Sequence, residues 1–175
     1  LYNDYFSGGM AGIVFQELRE ARALAYVAGA AYLNGYREDD QNLMVGVIQT
    51  QPDKAVEAVT AFTDLMDHLP ESPARFEVTK QSLIQQYRTG KLGFREVIGA
   101  VRAWKRKGLE PDPRRDRYPK IRAATLEDVL DFQQQYIAGK NKLISIVGDA
   151  RRIDTEALEK FGPVREVALD DIFVF

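Results

Sequence analysis

Apolar residues recur at Met10, Ile13, Val14, Leu18, Ala21 and Leu24, a spacing that predicts a helix over residues 10–24. Ser7, Gly8 and Gly9 interrupt the pattern ahead of it. Residues 3–24 therefore divide into a short helix or turn, a glycine bend and a longer helix. The period then changes from helical to alternating. In "AYVAGAAYLNGY" (25–36), Tyr26, Ala28, Ala30, Tyr32, Asn34 and Tyr36 fall on one face of a strand, and Val27, Gly29, Ala31 and Leu33 on the other. "REDDQN" (37–42) is a polar turn, and "LMVGVIQT" (43–50) predicts a second strand, apolar on both faces for most of its length. Such a strand is either covered on both sides or faces helices on one side and a closed chamber on the other.

Helical periods follow. Pro52 suits a first helical position, and Val56, Val59, Phe62, Met66 and Leu69 form a stripe behind it. Ser72-Pro73 opens another helix, with Phe76, Leu83, Ile84 and Tyr87 on its buried side, and Phe94, Ile98, Val101 and Trp104 mark a third. "GLEPDPRRDRYP" (108–119) carries three prolines and predicts a loop or broken turn. Thr125 with Asp128 forms a capping-box signature for a helix that Gly139 stops. "KLISIVG" (142–148) predicts a third strand, Asp154 caps a short helix ending at Gly162-Pro163, and "VREVAL" (164–169) predicts a fourth strand. The tail "DDIFVF" is apolar enough to dock. This order predicts an α+β fold: one domain over residues 1–175, two layers, a mostly antiparallel sheet with helices packed on one face.

Composition agrees with a globular chain. The 175 residues are 45% hydrophobic and 29% charged, and at this length roughly 70% of the unfolded surface can be buried without disulfide support. The net charge of −2 makes the chain as a whole no polyanion binder. No apolar run approaches the roughly 20 residues that span a bilayer. With no cysteine and a single histidine, His68, the chain lacks thiolate chemistry and the nitrogen and sulfur ligands that zinc hydrolases use, and a metal site is not expected. His68 instead suits the C-terminal end of a helix. No G-x-S-x-G elbow accompanies it.

Three features could carry binding. "SGGMAG" (7–12) places glycines 8, 9 and 12 before a helix, where bare N–H groups can hold an anion, but no G-K-[ST] follows; a helix-entry bend explains it equally. Residues 102–122 hold nine basic side chains against three acidic, a net +6 beside −8 elsewhere, which reads as solvated surface or as an anion or nucleic-acid patch. Arg19 ends a helix and Tyr26 begins a strand seven residues later. They are either packing residues or a pair of hydrogen-bond donors for a ligand.

The stretch "YFSGGMAGIVFQELREARALAYVAGA" (5–30) closely resembles the insulinase and pitrilysin family of zinc metallopeptidases, in particular its second, non-zinc homologous domain. The glycine-rich GGM segment, the helix ending in F-Q-E-L-R-E and the strand after L-A-Y carry the likeness, and the later "SIVGD" (145–149) agrees with it. In that family the catalytic half carries H-x-x-E-H and zinc, and the other half closes over the substrate. The resemblance therefore implies a non-catalytic domain that binds peptide and completes the active site of a zinc-bearing partner half, in the same polypeptide or a separate subunit. It implies substrate-facing roles for Arg19 and Tyr26, with Tyr26 as an oxyanion donor and Arg19 holding substrate carbonyls. Gly8 and Gly9 are the glycine-loop candidates for substrate contact. Zinc is expected in the partner half, with no cofactor, no metal ligand and no catalytic residue in this chain.

Three departures stand out. H-x-x-E-H is absent. Ala23 and Ala25 flank Leu24, where many members have glycine before L-A-Y. The family's domain also begins with at least one strand ahead of this helix; that strand is expected to be missing here, with residue 1 inside an N-terminally truncated domain, so the sheet is expected to show an unpaired position or to have it filled by a partner. The alternatives are a degenerate scaffold domain of the same fold, or an anion- or nucleic-acid-binding module built on residues 102–122. Many bacterial members are exported, so the resemblance is compatible with a periplasmic parent.

Overall fold

A computed structural model describes residues 1–110 and 112–172 of the chain. Helix α1 (Tyr2–Ser7) is followed by a 3-10 turn at Gly9–Ala11 and by α2 (Ile13–Phe15), which widens into a π-helix over Gln16–Ala21. Strands β1 (Val27–Leu33) and β2 (Leu43–Gln49) come next. Then follow α3 (Ala55–Asp67), α4 (Pro73–Thr89), α5 (Val97–Arg106), α6 (Arg114–Ala123), α7 (Leu126–Tyr136), α8 (Thr155–Leu158) and α9 (Leu169–Ile172). The class is α+β, as the patterning predicts. β1 and β2 pair antiparallel from Val27↔Gln49 to Leu33↔Leu43.

The helices cover one sheet face. Tyr2, Tyr5 and Phe6 of α1, Ile13, Val14 and Leu18 of the next helix, Ala61, Phe62 and Leu65 of α3, Phe76 of α4 and Val129 of α7 form the core. Ala28, Ala30 and Tyr32 of β1 and Met44 and Ile48 of β2 pack against it, which are the positions that period-two alternation places together. β2 approaches α3 closely: a Cβ on Gly46 would sit 2.2 Å from the Phe62 ring, so only glycine permits the contact. The opposite face, with Val27, Leu33, Leu43 and Val47, is largely exposed. The continuous apolar character of β2 thus reflects helices on one side and an open apolar surface on the other.

Among the described residues, Gln133 is a polar side chain held wholly inside. The Gln133 amide accepts from the Tyr2 hydroxyl and donates to the Met66 carbonyl, with the Leu65 carbonyl 3.4 Å away. It stitches α1 and α7 to α3. Burial pushes the Tyr2 phenol up, so it stays a neutral donor. The C-terminal end of α3 is tied down by Asp67, whose Oδ1 accepts from Lys142 Nζ at 2.7 Å and from the Gly139 N–H at 2.9 Å. Burial pulls that carboxyl up, but these hydrogen bonds outweigh it and hold it below the ordinary aspartate range.

Several sequence expectations change. Residues 142–148 are not a strand: none of the backbone groups of 143–148 has a hydrogen-bond partner among the described residues. A β-branched run becomes a strand only against a neighbouring ladder, and a cleft separates this one from β2. Residues 164–168 also form no strand, and α9 begins at Leu169, with Ala168 bonded to Asp171 at its start. Of the apolar tail, residues 173–175 lie outside the described residues, and Ile172 is exposed. The proline-rich loop is in part a helix. α6 carries Pro119 inside it, and Tyr118 anchors it on α4 by stacking on Tyr87 at 6.1 Å and accepting from Arg88 Nε at 3.1 Å. Tertiary packing here offsets the hydrogen bond that proline removes. Pro111 lies outside the described residues. The third helical stripe is real, but its apolar face is uncovered, with Ile98 65% and Phe94 81% exposed. The capping box at Thr125–Asp128 and the Asp154 cap both form.

The helix-to-strand junction has its own geometry. Leu24 N–H bonds the Leu18 carbonyl (2.9 Å) and Ala23 N–H the Arg19 carbonyl (3.1 Å). Each bond spans one residue more than in a Schellman close, as a π-turn requires. The residue that must turn left-handed is Ala23, at φ 49°.

Three outcomes follow from this packing. Gln133→Leu is expected to cost about 1–3 kcal/mol in urea unfolding, because it orphans the Tyr2 hydroxyl and an α3 carbonyl in the core. Because the folded pKa of Asp67 is depressed, its contribution is complete above the unfolded value of about 3.9 and lost as pH falls below it. The urea midpoint is thus expected to drop as pH falls below about 4, and Asp67→Asn should flatten part of that drop. Ala23→Gly is expected to raise stability by about 0.5–1 kcal/mol by relieving left-handed alanine, read as a higher thermal midpoint.

Candidate functional site

The site begins where α2 ends. The π-helical stretch carries Glu17, Leu18, Arg19 and Glu20; Leu18 is fully buried, which leaves Arg19 facing outward. Leu24 returns to the core beside Leu18, and the chain then enters β1. Tyr26 donates its N–H to the Gln49 carbonyl at 3.0 Å, while Val27 is itself the register partner of Gln49. Two residues thus answer to one, the signature of a β-bulge, and a bulge re-aims side chains. The strict alternation that puts Tyr26 on the buried face with Ala28, Ala30 and Tyr32 therefore fails at this end. Tyr26 is 79% exposed. Asn34 and Tyr36 leave that face as well, because pairing stops at Leu33.

The structure brings the two predicted site residues together. The Arg19 guanidinium carbon lies 5.6 Å from the centroid of the Tyr26 ring and 4.8 Å from that of Phe15. Arg19 Nε is 3.8 Å from a Glu20 carboxylate oxygen, a loose contact at the surface. Cation–π contact with two rings orients the guanidinium plane without consuming its N–H donors. The Tyr26 hydroxyl makes no hydrogen bond among the described residues. The pair therefore presents an aligned set of free donors beside the exposed apolar sheet face of Val27, Leu33, Leu43 and Val47. Neutral carbonyl oxygens with apolar flanks suit such a surface.

The glycine loop sits at the other end of the same helix. A Cβ on Gly8 would lie 2.2 Å from the Asp4 carbonyl oxygen, and Gly9 adopts φ 59°. Gly8 and Gly12 donate their N–H groups to Asp4 and Gly9 at 3.0 and 3.3 Å. The loop carbonyls are held as well, Met10 by Gln16 Nε2 at 2.7 Å and Ala11 by Arg75. These glycines shape a tight helix entry, and two of the N–H groups available to an anion are already used. The anchor Arg75 carries no periodic signal in the sequence.

The basic segment borders a separate surface pocket of ≈ 480 Å³ lined by Tyr87, Arg88, Asp112, Arg114, Arg115 and Tyr118. Arg114 is committed to Asp112 and Arg88 to Tyr118. His68 ends α3, with Nδ1 2.9 Å from Asp64 Oδ1, as a helix-end histidine. Among the described residues there is no cluster of three or more histidine, aspartate or glutamate side chains able to hold a metal ion. No described helix is long and apolar enough to cross a membrane.

Comparison with known proteins bears on the fold. Residues 1–83 match the model of the peptidase M16 inactive domain. The fold matches the crystal structure of a peptidase M16 inactive domain from Pseudomonas fluorescens, with a TM-score of 0.63 and 16% identity over 77% of this chain. The match covers 32% of that chain, so the present residues span about a third of it. No curated protein matches the chain. Over residues 1–83, which include α1, the glycine loop, Arg19, Tyr26 and both strands, the chain is similar to the peptidase M16 inactive-domain family.

Proposed function

We propose that this domain binds peptide and completes the active site of a zinc-bearing homologous half, supplied by the same polypeptide or by a second subunit. The observation that carries this reading is the Arg19–Tyr26 pair: a guanidinium at 5.6 Å from a phenol ring that is 79% exposed, beside an open apolar sheet face. Peptide substrates offer what this surface can take, namely carbonyl acceptors for its donors and apolar side chains for its open face. Arg19 holds backbone carbonyls as a fixed, permanently charged donor. Tyr26 donates its hydroxyl to the oxygen that gains negative charge when the scissile carbonyl is attacked.

The donor set of a zinc hydrolase is not available here, since the chain has one histidine and no cysteine. Zinc, expected in the partner half, supplies the activated water there; the residues of this chain bind and orient. Gly8 and Gly9 contribute through the helix entry that sets the angle of α2, and so the placement of Arg19.

The test is turnover in the reassembled two-half enzyme. Tyr26→Phe is expected to lower kcat by about 10²–10³-fold, equivalent to roughly 2.7–4 kcal/mol of lost transition-state stabilisation. KM should change little. Arg19→Lys keeps the charge but loses the planar fork, and is expected to raise KM. Unchanged turnover in both variants, with unchanged unfolding midpoints, would instead identify a scaffold domain.

A further inference from the structure

A glycine inside a strand needs a reason, because it weakens the strand and packs nothing. Gly46 has one in the Phe62 ring. Gly29, in the middle of β1, has none within the fold. Its φ is not left-handed. The register runs unbroken through it, from Val27↔Gln49 to Leu33↔Leu43, so it makes no bulge. A Cβ on it would meet nothing nearer than Ser7 Oγ at 3.7 Å, an ordinary van der Waals contact. The fold has room for a side chain at 29 and does not place one there. Of the usual reasons for a strand glycine, the close approach of a ligand remains.

The surroundings define that ligand. With Ala28, Ala30 and Tyr32 packed on the core, Gly29 and Ala31 fall on the open face. They are half-buried, whereas Val27 and Leu33 on either side of them are exposed. Across the ladder stand Val47, opposite Gly29, and Val45, opposite Ala31. The open face therefore has a notch, floored by a glycine and an alanine and walled by branched apolar side chains. No residue from Val27 to Leu33 or from Leu43 to Val47 is charged. A charged group in the notch loses water and finds no partner, whereas an apolar group is favoured by burial.

The notch is continuous with the site already described. Gly29 lies three residues along β1 from Tyr26, about 10 Å at the rise of a strand. We propose that Gly29 and Ala31 form a specificity subsite for one bulky apolar side chain, phenylalanine or leucine, of the peptide that Arg19 and Tyr26 hold. The inference rests on the peptide-binding reading of that pair and adds the class of peptide. In an extended peptide the selected side chain is about three residues from the carbonyl at Tyr26. Alanine at that position leaves the notch empty, and glutamate strands a charge in it. A larger residue at 29 fills the notch from below, so glycine is what keeps it open.

Titration of the 175-residue chain, followed by NMR, tests this with the peptide acetyl-Ser-Thr-Ala-Phe-Ala-Thr-Ser-amide and its counterparts carrying Ala or Glu in place of Phe. The Phe peptide is expected to bind about tenfold more tightly than either counterpart and to shift the amide resonances of Gly29 and Ala31. Gly29→Val is expected to fold with a thermal midpoint at or above that of the parent chain, since valine suits a strand and meets no obstruction here. It should bind the Phe peptide about tenfold more weakly and the Ala peptide as before. Equal affinity for the three peptides overturns the subsite and leaves peptide binding by Arg19 and Tyr26 standing. So does a Phe preference that survives Gly29→Val, which puts the apolar contact elsewhere. A lowered midpoint for Gly29→Val overturns it as well, by showing that the fold itself requires the glycine. Binding of none of the peptides overturns both the subsite and the reading on which it rests.

Discussion

A two-stranded sheet must settle two edges and two faces, and most of this structure is the consequence. The outer edge of β1 is settled by α1. Asn3 and Ser7 lie one turn apart on that helix, and the N–H groups of Tyr32 and Ala30 lie two residues apart on the strand. Asn3 also donates to the Tyr32 carbonyl at 3.0 Å, so its side chain acts as a short piece of neighbouring backbone. An edge covered in this way no longer invites pairing. The face toward α1, α3 and α7 is settled by burial, with Gln133 locking the three helices through one buried amide.

The site stands on the opposite side of that arrangement. Arg19 and Tyr26 are positioned by three departures from regular geometry in about ten residues: a π-turn, a left-handed alanine and a bulge at Gln49. Each costs some stability, and the anchors that hold them are Leu18 and Leu24 in the core. The departures convert seven residues of sequence separation into contact between a guanidinium and a phenol ring. A regular helix running into a regular strand would have turned Tyr26 inward with Ala28.

Charge is distributed separately from this site. The basic residues of α5 and α6 gather at one end, where several are neutralised locally or stacked on aromatic rings, as Arg106 is over Tyr36 at 4.1 Å. The net +6 of residues 102–122 is visible in the sequence. The helix formed by Arg114–Ala123 is not, because three prolines argue for a loop and only the Tyr118 contact with α4 reverses that argument.

By itself, the sequence determined the α+β class, β1 and β2, and the main helices and their caps. These depend on local period and capping chemistry, which act between residues close in the chain. What lies beyond local reach was decided by tertiary structure. "KLISIVG" has the composition of a strand, yet a strand is a relation between two backbones, and no partner reaches it across the cleft. Ser7 reads as a helix breaker and proves to be an edge cap, because its acceptor role depends on a strand 23 residues away. The outward turn of Tyr26 likewise depends on Gln49, 23 residues further on, whose carbonyl places the bulge.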